Sequence, residues 1–305
     1  MERSIYLDHN ATTPLHPEVK RAITDALDLY GNPSSMHEEG RKARARVEAV
    51  REDVAAFLNA SPDEIVFVGS GSEANNTVLN LFPCNIQCPA RSLDDRNEVV
   101  VTTIEHPCVL ETSRCLPRRG LTLHTLPVDA TGKVRLEALD ELLGPRTALV
   151  SVMAANNEIG TIQNIKAIAE RVHAAGAYLH TDAVQAVGKI PVDVRDWDVD
   201  FLSFSAHKNY GPKGVGGLYT KKDVPFCPFI LGGHQERGRR AGTENTLGII
   251  GLGAAIAMRR EEMADEAERL GGLKARLREG IEASVPDIRV NGHPTDCLAG
   301  TLNVS

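Results

Sequence analysis

Short β-prone apolar runs alternate with stretches of helical period along most of the chain. The runs fall at 64–68, 98–102, 121–126, 147–153, 177–181, 199–204 and 215–220, each of strand length. The 41–58 stretch repeats apolar residues at Val47, Val50, Val54, Phe57 and Leu58, the spacing of a helix with one buried face. Ser35, followed three residues later by Glu38, predicts a capping box at its start. Asn164 predicts the N-cap of another helix, with Ile165, Ile168, Ala169 and Val172 on one face and Gly176 ending it. Strands and helices in alternation predict an α/β fold, a mainly parallel sheet covered by helices on both faces. After Leu247 the pattern turns helical and charge-rich through Arg278, and short strands are expected at 288–290 and 301–304. This tail reads as a smaller domain, incomplete at the C-terminus.

Composition narrows the class. The 305 residues are 42% hydrophobic and 25% charged, an ordinary globular balance. A formal charge of −7 offers no positive field for a phosphate backbone, so nucleic acid is excluded as a main partner. Residues 1–15 carry Asp8 and His9 and no hydrophobic run of leader type, and the uncharged stretch 74–90 is broken by Asn76, Asn80, Pro83 and Gln87. A soluble cytoplasmic protein is expected. The six cysteines, Cys84, Cys88, Cys108, Cys115, Cys227 and Cys297, read as free thiols there. Cys84 and Cys88 have no second pair at zinc spacing, so no metal is expected.

The chemistry concentrates where strands end. The run 201–204 leads into Ser205-Ala206-His207-Lys208 and then Asn209-Tyr210-Gly211-Pro212-Lys213-Gly214. Open α/β sheets bind ligands at the carboxyl ends of their strands. A lysine amine there can condense with a carbonyl cofactor, while Ser205 and His207 donate to an anion. The plain alternative for Lys208 is a solvated turn residue. Asp182 closes the run 177–181, with Gln185 three residues on; an aspartate against a pyridine nitrogen keeps it protonated and makes the ring an electron sink. Alone, Asp182 also fits a helix cap.

Val68-Gly69-Ser70-Gly71-Ser72 is a strand entering a glycine/serine turn before a helix, an anion cup of backbone N–H groups to which the Ser72 hydroxyl adds a donor. Gly69, Gly71 and Ala74 also satisfy a dinucleotide fingerprint. Asp94 and Asp95 then precede the next strand instead of ending it, which argues against a nicotinamide cofactor. His106, held by Pro107 after the run 98–102, can stack on a flat ring and move protons, or be a buried, hydrogen-bonded histidine. Asn156-Asn157 after the run 147–153 either form a turn or orient oxygens of a ligand.

Taken together, Tyr6-Leu7-Asp8-His9-Asn10-Ala11-Thr12-Thr13, Gly31-Asn32-Pro33-Ser34-Ser35, Asn156-Asn157-Glu158-Ile159-Gly160, the Ser-x-His-Lys and Gly-Pro-Lys-Gly motifs, and Gln235-Glu236-Arg237-Gly238-Arg239-Arg240-Ala241-Gly242-Thr243-Glu244-Asn245 stand in the order of one family. From Ile5 to Ser305 the chain resembles the group I cysteine desulfurases, the nitrogen-fixation and iron–sulfur-assembly branch of the class V aminotransferase-like enzymes of fold type I. The resemblance implies a seven-stranded sheet in a large pyridoxal 5'-phosphate domain at 16–255, an N-terminal arm at 1–15 and a small domain at 256–305. It implies that Lys208 carries the cofactor, Asp182 meets its ring nitrogen, Gln185 its phenolic oxygen and His106 its face, while Gly71, Ser72, Ser205 and His207 hold the phosphate. Asn157 matches a contact to cofactor and substrate carboxylate, and Thr243 one to the neighbouring subunit's cofactor, which implies a homodimer.

The implied reaction converts L-cysteine to L-alanine and leaves a persulfide for an iron–sulfur scaffold or a tRNA-thiolation partner. The family's nucleophilic cysteine and substrate-clamping arginine match positions beyond Ser305, and neither Cys108 nor Cys297 falls in that motif. Two alternatives stand beside this reading: another class V enzyme, an aminotransferase or selenocysteine lyase, or a non-catalytic partner protein of the same fold.

Overall fold

The computed structural model describes residues 5–81 and 96–305. Cys84, Cys88, Asp94 and Asp95 lie outside the described residues. Seven strands form one sheet: β1 (Ile65–Val68), β2 (Glu98–Thr102), β3 (Thr122–Leu126), β4 (Thr147–Ser151), β5 (Tyr178–Asp182), β6 (Phe201–Ser205) and β7 (Gly216–Thr220), in the order β1-β7-β6-β5-β4-β2-β3. Pairing is parallel from β3 through β6, and β7 runs antiparallel to both its neighbours. The expected mainly parallel sheet is thus present, with each strand within a residue or two of its predicted place.

Val99 and Val101 pack on one face and Val100 on the other, the alternation a strand imposes. One face is covered by α2 (Glu38–Leu58), α6 (Ile165–Ala174) and the first turns of α7 (Thr246–Ser284), which contribute Val47, Val54, Ile168, Val172, Ile249 and Ile256. The other is covered by α3 (Gly71–Leu79) and α4 (Pro107–Arg114) through Ala74, Val78 and Val109. Of two further helices, α1 (Pro17–Asp25) buries Val19, and α5 (Leu136–Leu142) buries Leu139 in the core of the first face.

Asn164 caps α6 as expected, its side chain accepting from the Ala167 N–H, and Gly176 follows that helix at φ 72°. The start of α2 differs from expectation. Ser35 is taken up in a turn closed by its own N–H to Asn32 O at 2.9 Å, and His37 caps the helix by accepting from Gly40 N. The capping box therefore does not form, because the chain bends before the serine can reach the first helical turn.

The charge-rich tail forms one helix of 39 residues, α7, whose buried positions end at Arg259. Beyond it, β8 (Val290–Asn291) and β9 (Asn303–Val304) pair antiparallel in a separate two-stranded sheet. Among the described residues no helix is long and apolar enough to cross a membrane.

Candidate active site

The parallel strands deliver their carboxyl ends to one sheet edge. There a cavity of about 460 Å³ is lined by Gly71, Ser72, His106, Asn157, Asp182, Gln185, Ser205, His207 and Lys208, along with Asn10, Asn75 and Cys108. The first nine are the predicted site residues, brought together from the ends of five strands, β1, β2, β4, β5 and β6. Thr243, the tenth, is exposed and does not line this cavity.

The β1–α3 connection makes one wall. Ser70 caps α3 by accepting from Glu73 N at 3.1 Å, leaving the Gly71 and Ser72 amides at the helix start. The opposite strand is kept clear by Gly216, whose added Cβ would lie 2.6 Å from Phe204 O and 3.2 Å from Gly71 N. A side chain there would push into the first-turn donors, so glycine keeps the cup open. Glu73 ties this turn to the distant loop: it accepts from Gly69 N at 2.8 Å and pairs with Arg240 Nε at 2.9 Å. Glu236 anchors the same loop by a buried pair with Arg51 at 2.8 Å, on a backbone whose residues Glu236 and Arg237 both adopt positive φ.

Asp182 ends β5 and is 4% exposed. Its carboxylate accepts from Asn75 Nδ2 at 2.6 Å and Val184 N at 2.9 Å. Burial pushes its pKa above the ordinary carboxylate range, against those two hydrogen bonds and the neighbouring His106 and Lys208 side chains. A cation placed against it would relieve that cost. Lys208 closes a short 3₁₀ turn after β6, its amine donating to the carbonyls of Asn10 and, at 2.7 Å, Ala11. Burial lowers the pKa of this amine, with Asp182 and Asp8 opposing.

His207 is hydrogen-bonded to Thr12 Oγ1 at 3.1 Å, and burial, helped by Lys208 and Lys213, brings its pKa down to about 4. It is therefore a neutral imidazole near pH 7. His106 is exposed to the cavity rather than buried, and its Nδ1 accepts from Cys108 N at 3.1 Å as the N-cap of α4. Cys108 also faces the cavity; burial raises its pKa against a hydrogen bond from Asn75. It is held as a thiol, a poor nucleophile. Cys297 lies outside this cavity, beside Lys274 and Ile159 O.

In two residues that line this cavity a buried polar atom, Asn75 Oδ1 and Ser205 Oγ, lacks a hydrogen-bond partner. Buried polar groups are normally paired. Unpartnered polar atoms, an open anion cup, a buried carboxylate and a lysine amine gathered at one cavity together fit a phosphate-bearing aromatic aldehyde.

Sequence reasoning assigned no role to Asn75 or Asn10. Asn75 sits one helical turn beyond Gly71 on the buried side of α3 beside Ala74 and Val78, and a polar residue on an apolar face was its only signal. Asn10 carried none beyond its motif: its carbonyl accepts from both Gln185 and Lys208, and its side chain bonds Asn157 O at 3.1 Å and Thr301 Oγ1 at 3.0 Å.

The sequence profile described as "Aminotransferase class-V" matches residues 5–305. A protein from Cereibacter sphaeroides named cysteine desulfurase is 46% identical over 309 residues, covering 100% of this chain and 77% of that one. A solved structure titled NifS-like protein is 39% identical with a TM-score of 0.93, covering 99% of this chain and 82% of that one. Another, titled SspA in complex with cysteine, is 33% identical with a TM-score of 0.86, covering 99% and 83% respectively. The chain belongs to the aminotransferase class-V family.

Proposed function

We propose that this chain is a pyridoxal 5'-phosphate-dependent cysteine desulfurase, taking sulfur from L-cysteine to leave L-alanine. The observation that carries the reading is the meeting of the Lys208 amine, the buried Asp182 carboxylate and the Gly71–Ser72 anion cup at one cavity. The family and the relatives named above support it.

When bound, pyridoxal phosphate supplies a protonated ring that accepts the electron pair left on a substrate carbon. Gly71, Ser72, Ser205 and His207 hold the phosphate, with Ser205 Oγ gaining the partner it lacks. Asp182, fixed by Asn75 and Val184 N, holds the proton on the ring nitrogen. Gln185 would donate to the phenolic oxygen of the bound cofactor, and His106, which lines the same cavity, would lie against its ring. Lys208 holds the cofactor and, through an amine whose pKa is lowered by burial, takes the proton from the substrate Cα. Asn157 orients the substrate carboxylate.

The chain then divides into an arm at 1–15, a cofactor domain at 16–255 and a small domain at 256–305, a division supported by the separation of β8 and β9 from the main sheet. Thr243, exposed on a loop pinned by Glu236 and Arg240, reaches the cofactor of a second copy in a homodimer. The sulfur leaves the substrate by attack of a cysteine thiolate, the C–S bonding pair staying with the substrate carbon on the way to alanine, and the resulting persulfide passes to an acceptor such as an iron–sulfur scaffold or a tRNA-thiolation enzyme in the cytoplasm.

The test is borohydride reduction of the purified yellow protein followed by peptide mass spectrometry, with the label expected on Lys208, and assay of alanine and sulfide from L-cysteine. A colourless protein that takes up no pyridoxal phosphate refutes the cofactor assignment. Conversion of an amino acid to its keto acid with no sulfide released refutes the desulfurase assignment.

A further inference from the structure

We propose that Lys189 is a positioning residue that fixes which way the Gln185 amide points, so that the atom presented to the ring is the Nε2 donor. This rests on the reading above that Gln185 meets the phenolic oxygen. Residues 183–190 coil as a helical turn, with Val187 N bonded to Ala183 O and Ile190 N to Ala186 O. That turn places positions 185 and 189 on one side, a single turn apart.

An amide side chain is ambiguous on its own, since its two ends are nearly the same size and differ only in whether they donate or accept. Here the Lys189 Nζ donates to Gln185 Oε1, and Gln185 Nε2 donates at 2.9 Å to the carbonyl of Asn10, a residue that lines the cavity. Burial lowers the pKa of the Lys189 amine to about 7; in its protonated form it offers three donors and no acceptor, so the flipped amide would then set N–H against N–H. Lys189 is itself held in place. Arg259 Nε donates to Gly188 O at 2.8 Å, and the Lys189 amine lies 3.5 Å from Asn10 Oδ1. Nothing in the assigned chemistry otherwise uses this lysine, which is enclosed near Lys208, Arg259 and Glu266.

A ring oxygen that loses its donor holds the neighbouring proton more tightly, which the visible absorption of the bound cofactor reports against pH. For holoprotein carrying Lys189→Met, the midpoint of that absorption change is expected to rise by about one pH unit, about tenfold in proton affinity. Lys189→Ala is expected to do the same without repacking, because the side chain borders a second cavity of about 320 Å³. Lys189→Arg keeps donors at that end and is expected to retain the wild-type midpoint. Gln185→Ala should give the same rise, and Lys189→Met with Gln185→Ala no more than Gln185→Ala alone. If Gln185→Ala moves the midpoint and both Lys189 variants leave it unmoved, or if the double variant sums the two shifts, the inference is overturned. If Gln185→Ala itself leaves the midpoint unmoved while borohydride still labels Lys208, the placement of Gln185 at the ring fails, and the inference falls with it.

Discussion

Two polar clusters sit two residues apart on β5, and they are opposites. His180 is fully buried and shares hydrogen bonds with Ser151 Oγ at 2.8 Å on β4 and Ser203 Oγ at 3.0 Å on β6. Both ring nitrogens are occupied, and burial alone brings its pKa to about 3, so it is a neutral strut across three strands. Asp182 is equally enclosed, yet its neighbours Asn75 Oδ1 and Ser205 Oγ are unpartnered and a cavity opens beside them. Burial does not separate structure from chemistry here. The two clusters differ in their hydrogen bonding: both nitrogens of His180 are satisfied, whereas Asn75 Oδ1 and Ser205 Oγ, of two residues lining the cavity with Asp182, are not.

The largest effect expected from breaking this contrast is on the reactive side. Lys208→Ala should abolish borohydride labelling, and Asp182→Asn should lower alanine formation by roughly 10²–10³-fold, the usual scale for losing a group that stabilises developing charge. Because burial opposes the Asp182 charge, the cofactor-free Asp182→Asn protein should melt no lower than wild type near neutral pH in calorimetry.

The structural side should answer in the other currency. His180→Ala leaves two serine hydroxyls unpaired and a void, and is expected to cost about 2–4 kcal/mol in denaturant unfolding while leaving the cofactor absorption unchanged. The pH dependence follows from the depressed pKa. Unfolded histidine takes up a proton below about 6.5 and the folded one only near 3, so this group's stabilisation is complete above 6.5 and is lost as pH falls from there toward 3. A His180→Asn variant should show a flatter acid limb.

Glu105 gives a smaller effect of opposite sign. Burial, with the Asp182 charge assisting, lifts its pKa to about 8 despite hydrogen bonds from Thr102 Oγ1 and Met153 N. A carboxyl group raised in the folded state contributes stability that is complete below its unfolded value of 4.5 and is lost as pH rises through 8. Glu105→Gln should remove that decline, read as melting temperature against pH. The smallest effect is expected for Ser205→Ala. Pyridoxal phosphate affinity should fall about tenfold, one hydrogen bond to a charged group, while the cofactor-free protein is unchanged or slightly stabilised by losing an orphaned hydroxyl.

The strands and the amphipathic faces of α2 and α6 were legible because apolar period is a local property, readable from five to twenty consecutive residues. The site was legible to the extent that its residues close strands: Asp182, His106, Asn157, Ser205 and Lys208 all follow an apolar run, and a parallel sheet must bring such ends to one edge. Even the helix caps were only partly readable. Asn164 performs as its position predicts, whereas Ser35 loses its helix to His37 because a turn four residues long intervenes.

Sequence by itself thus determined the class of fold, and it named residue types that the structure gathers at one sheet edge, since strand period and strand ends are short-range patterns. It could not settle that Asn75 would reach Asp182 across 107 positions, that Asn10 would link Gln185, Lys208 and Thr301, or that Lys189 would face the Gln185 amide. Those contacts depend on how helix, arm and strand ends close upon one another, and a hydrogen bond a few ångströms long is decided only when the whole chain has packed.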